Sequence, residues 1–148
     1  MSMSTLKPVL RSVLFAAVLL GAATAGAEDV IHTIVAVTHE GDCTSALGYV
    51  VEVGDAQKVA KAAEEKARAQ YPALKRLNHK NNDKKGKSLG RHVVVVSAGV
   101  GKAGCNGRAM GVGIGADEAA ARKDGRKNLG KNFPLHDGDV KVEHSQGY

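Results

Sequence analysis

Tryptophan is missing from this chain, and only two phenylalanines and three tyrosines occur in 148 residues. A core built on aromatic bulk is therefore excluded, and the apolar volume has to come from Val, Ile, Leu and Ala. Proline is nearly as scarce, with three residues, so no proline-rich linker divides the chain. The two cysteines, Cys43 and Cys105, have no second ligand at C-x-x-C or H-x-x-x-H spacing; a structural zinc module is excluded on that ground. A full G-x-x-x-x-G-K-[ST] phosphate loop is also lacking, because Asn81 stands where Gly86-Lys87-Ser88 would need its first glycine. Ser88 of Gly86-Lys87-Ser88-Leu89-Gly90 falls in the polar connection rather than at a strand-to-helix elbow. Long apolar runs are absent after residue 27.

The one apolar run that does occur is "SVLFAAVLLGAATA", preceded by Lys7 and Arg11 and followed by Ala25-Gly26-Ala27. A basic flank, a short apolar stretch and a small-x-small site form the pattern of a secretory signal peptide over residues 1–27. The run is short for a bilayer span, and the mature product, residues 28–148, is expected as a single periplasmic or secreted domain with no transmembrane segment. Such a compartment is oxidising, so a Cys43–Cys105 disulfide is the preferred state of the two cysteines. Buried thiols or a bridge between two chains are the alternatives.

Two segments resemble each other in layout. Cys43 to Pro72 and Cys105 to Pro134 have the same length, and with no gap Val50 meets Val112, Asp55 meets Asp117 and Tyr71 meets Phe133. Upstream, "HTIVAV" from His32 lies over "HVVVVS" from His92. Each segment reads as a β-branched strand, a polar or glycine-rich turn, a second strand, an aspartate placed to cap a helix, and a helix stopped by proline. Ala56, Val59, Ala60, Ala63, Ala67 and Tyr71 make one apolar stripe at helical spacing, as do Ala121, Gly125, Leu129 and Phe133. The expected fold is α+β: two tandem β-hairpin–α-helix units (ββα–ββα), about residues 30–74 and 91–134, forming one antiparallel sheet with both helices on one face. Residues 75–91 then form a basic linker and residues 135–148 a tail.

The glycines of "GVGKAGCNGRAMGVGIG" are assigned to this frame rather than to a phosphate cradle. Gly111, Gly113 and Gly115 alternate with Met110, Val112 and Ile114, the period of a strand. Their bare face invites another backbone to approach. In the gapless alignment their counterparts are Tyr49, Val51 and Val53.

Charge is concentrated. Lys75–Arg91 holds seven Lys/Arg against one acid, Asp83, in a chain whose formal net charge is +6. Within it Lys80, Lys84, Lys85, Lys87 and Arg91 are the candidate anion- or partner-binding residues. No aromatic lies among them, which argues against specific nucleic-acid recognition by stacking. An acidic protein or an anionic envelope component is the expected partner, and no cofactor is expected. The leading reading is a small exported, non-enzymatic binding or interaction module, as an inhibitor or accessory protein. The alternative is a small periplasmic hydrolase or metal-binding protein using His136/Asp137 or a His32/His92 site.

Overall fold

A computed structural model describes residues 28–148; the expected signal peptide over residues 1–27 lies outside the described residues. Strand β1 (Val30–Glu40) turns into β2 (Cys43–Gly54), helix α1 (Val59–Gln70) follows, and β3 (Arg76–Asn81) returns to pair antiparallel with β1. A small hairpin, β4 (Asp83–Lys84) and β5 (Lys87–Ser88), comes next. Then β6 (His92–Val100) turns into β7 (Arg108–Gly115), α2 (Glu118–Asn132) follows, and β8 (His136–Gly147) pairs antiparallel with β6. Six strands form one sheet in the order β3-β1-β2-β7-β6-β8, and its two halves are joined by a single partner pair, Ala46 and Arg108.

The α+β composition is present, but the expected ββα–ββα tandem with both helices on one face is overturned. The molecule is mostly strand, and each helix leads into a further strand that the expectation lacked. Residues assigned to linker and tail are β3, the β4–β5 hairpin and β8. The one-pair junction lets the sheet fold over on itself instead of running flat. Ile31, Val35 and Val37 of β1 share a core with Val93, Val95 and Val112 of the other half, whereas Ile34 and Val50 pack with Ala63 and Ala67 of α1 in a separate cluster. Gly111, Gly113 and Gly115 turn the other way, against α2. Each helix therefore backs its own half-sheet from outside, with the valine core between the halves. Burying one such side chain stabilises the fold by about 1.5–3 kcal/mol, which is how a chain so poor in aromatics holds together.

A bulge separates the two halves in register. Ala36 pairs with Gly48 and Val37 with Ala46, so Leu47 of β2 is left over and exposed. An extra residue moves the following side chains to the opposite face. Gly48 and Val50, not Tyr49 and Val51, face α1, and the aromatic ring of Tyr71 fills the space over Gly48. The Tyr49/Val51/Val53 counterparts assigned to the three glycines are thus one residue out of phase.

The helix starts also differ. Asp117 caps α2 as expected, its side chain accepting from the Ala120 amide at 2.8 Å. Asp55 instead closes a turn through the Gln57 amide, and α1 begins at Val59 with no side-chain cap. Among the described residues no helix is long and apolar enough to cross a membrane.

Candidate functional site

The glycine face of β7 decides how close α2 can come. A Cβ built on Gly113 would lie 2.8 Å from the Ala121 carbonyl carbon, with Ala121 O and Gly125 N closer still. Helix and strand therefore touch backbone to backbone. At that distance α2 reaches past its own face and closes the far edge of β7, which β2 leaves after one pair. Asp124 Oδ2 accepts from the Ile114 amide at 3.0 Å, and Asn128 Nδ2 donates to the Val112 carbonyl at 2.7 Å. These side chains do the work of a neighbouring strand.

Between this helix-capped edge and β3 runs a groove of about 470 Å³, lined among others by Lys80, Lys84, Asp124, Lys127, Asn128 and Lys131. It continues into an inner recess of about 200 Å³ that reaches Val35, Asn78 and Val112. Lys80, half-buried, crosses it to Asp124 at 2.8 Å. Asn78 lines the recess, and its Nδ2, shielded from water, has no acceptor among the described residues. Four lysines from three elements thus meet two aspartates, Asp124 on α2 and Asp83 on the small hairpin, and a groove so lined holds a positive potential. A larger depression of about 620 Å³ lies over Ala119, Arg122, Lys123 and Arg126. It belongs to one helix alone and brings no second element to a ligand.

The five basic residues singled out from the sequence have separate places. Lys80 is in β3 and paired as described. Arg91 is a structural tie: it donates to the carbonyls of Asp29 and Tyr148, each at 2.9 Å, and pairs with Glu28. Lys84, Lys85 and Lys87 are exposed on the small hairpin, whose turn is Lys85-Gly86, both with positive φ. Asp83 Oδ1 accepts from the Gly86 amide, and buried Asn82 anchors the base by bonding the Ile31 amide and the Gly90 carbonyl. Of these five residues, only Lys80 and Lys84 line the groove. Lys127 and Lys131, which complete it, do not stand out in the sequence because α2 carries its charge diluted among alanines and glycines. The signal was available in their i, i+4 spacing.

Cys43 and Cys105 form a disulfide with Cα atoms 5.5 Å apart. It ties the start of β2 to the loop before β7, beside the one-pair junction between the halves. Lys102 adds a hydrogen bond to the Asp42 carbonyl nearby.

The histidines do not gather as the alternative reading required. His32 bonds His79 at 2.9 Å, whose other nitrogen lies 3.7 Å from Glu64, while His92 bonds Ser145 at 3.0 Å. His136 gives Nδ1 to the Phe133 carbonyl, and Asp137 is exposed in β8. Among the described residues no group of three or more His, Cys, Asp or Glu is placed to hold a metal ion. Burial holds His32 below the usual histidine value, with the His79 charge adding to the effect and Glu64 opposing it. His144 is lowered likewise, by burial and then by His92. One polar cluster was not visible in the sequence: buried Ser97 donates to Glu143 and accepts from Arg108, which pairs with Glu143 at 2.8 Å. Its members satisfy one another.

Comparison with protein-family models, with curated proteins and with solved structures found no match.

Proposed function

We propose that this is an exported, non-enzymatic binding module that holds an acidic protein partner in the groove between β3 and α2. The observation that carries the reading is the convergence of Lys80, Lys84, Lys127 and Lys131 on one concave surface. Lysines on α2 and on the hairpin contribute nothing to the valine core, and Lys84, Lys127 and Lys131 are exposed. A single acid, Asp124, lies on the helical wall of the groove, and it is already engaged by the Ile114 amide and Lys80. The other acid at the rim, Asp83, is engaged by the Gly86 amide. A concave, narrow site suits a polypeptide chain better than a flat membrane surface. The Cys43–Cys105 disulfide supports an oxidising compartment, and with it export.

The test is retention on a carboxylate-bearing polymer. The protein should bind at low salt and elute as the Debye length shrinks from about 10 Å at 0.1 M to about 3 Å at 1 M. Replacing Lys84, Lys127 and Lys131 together by Gln should abolish retention without moving the urea midpoint. Replacing Lys85 and Lys87, which do not line the groove, should leave most of it. Equal retention of the two variants would overturn the reading.

A further inference from the structure

Resting on that reading, we infer that the acidic partner binds as an extended segment that adds a strand to the outer edge of β3. Among the described residues, strand β3 is terminal in the six-stranded sheet and pairs only with β1. The Asn82 amide donates to the Ile31 carbonyl, and this sets the phase of the ladder. Lys80 and Asn78, partners of Thr33 and Val35, direct their backbone groups towards β1. Leu77, His79 and Asn81 therefore direct theirs away from it, and His79 and Asn81 are among the residues that line the groove. Main-chain donors and acceptors in this arrangement are what an added strand pairs with.

The flanking charge has the period that such a strand needs. Lys127 and Lys131 are four residues apart on α2, about 6 Å along the helix axis. Side chains on one face of a strand recur every second residue, about 6.6–6.8 Å. Carboxylates at alternate positions of the added segment thus meet successive lysines, while Lys84 lies beyond the end of β3. The six residues of β3 limit the paired stretch to a similar length. The recognised chemistry is an extended peptide with acidic side chains at every second position.

Amide hydrogen exchange on the whole protein tests this with a (Glu-Thr)5 peptide and, separately, polyacrylate as a polyanion with no backbone amides. The peptide should slow exchange at Leu77, His79 and Asn81 by about tenfold or more, and polyacrylate should bind without doing so. N-methylating alternate residues of the peptide in either of the two possible sets should weaken binding by about tenfold or more for one set only. If both polyanions bind and the three amides stay unprotected, strand addition is overturned while the lysine groove stands. If neither binds, both readings fall. Protection that rises with protein concentration in the absence of peptide would assign the edge to a second copy of the chain and overturn the inference.

Discussion

Gly113→Ala is the substitution that most directly probes how α2 is held. The added methyl would stand 2.8 Å from the Ala121 carbonyl carbon, nearer still to Ala121 O and Gly125 N, and all three are backbone atoms of a helix. No rotamer change relieves that clash, so the helix must lift. Lifting separates Ala121, Leu129 and Phe133 from the core they are buried in, and it draws Asp124 and Asn128 away from the edge of β7. Overpacking alone costs about 1–3 kcal/mol. Loosened burial and two hydrogen bonds add to it, so the loss should reach about 3 kcal/mol or more. Gly130→Ala is the control, because its Cβ would meet only His136 Cε1, at 3.8 Å. There the ordinary helical preference for alanine should stabilise the protein by about 0.5–1 kcal/mol. Urea unfolding of both variants decides the matter. A Gly113→Ala protein within about 1 kcal/mol of the parent would refute the backbone-to-backbone packing.

Reducing the Cys43–Cys105 bond, or replacing both cysteines by Ala, should cost about 3–5 kcal/mol because it releases a loop of 62 residues in the unfolded chain; an unchanged urea midpoint would contradict this. Acidification should destabilise the protein through His32 and His144. Both bind a proton less readily folded than unfolded, so their contribution is complete above the ordinary value of 6.5 and is lost as pH falls below it. Urea midpoints between pH 7.5 and 5 should fall, and His32→Gln should flatten the slope; the same slope in that variant would remove His32 from the account.

The parts of this fold that could be read from sequence are those with a buried face. Val93–Val96 and Ile31–Val37 declare strands by β-branching, the stripes of α1 and α2 declare helices, and the alternation of Gly111, Gly113 and Gly115 declares a face open to another backbone. What stayed hidden were edges. "RLNHKN" of β3 and "HDGDVKVEHSQG" of β8 pair on one side only, so their residues are mostly polar and half-exposed. Terminal strands are kept polar to discourage aggregation, and that makes them resemble linker and tail. The bulge at Leu47 was hidden for a different reason: one extra residue leaves composition untouched and reverses every following side chain. The groove was only half visible. Lys80 and Lys84 lie in a dense run of charge, but Lys127 and Lys131 join them through a helix–strand approach that no window of sequence contains.

Arg91 holds the carbonyls of Asp29 and Tyr148 with one guanidinium, so the first and last described residues are neighbours in space. Joining them would close a loop of a few residues, at little entropic cost. The chain could then be reopened at the Lys85-Gly86 turn, leaving every strand pair of the six-stranded sheet within a continuous circularly permuted polypeptide. In such a protein the two new ends would flank the lysine groove, and a peptide attached there would reach β3 as part of the same molecule. The fold thus offers a direct way to present candidate acidic segments to the edge at high effective concentration.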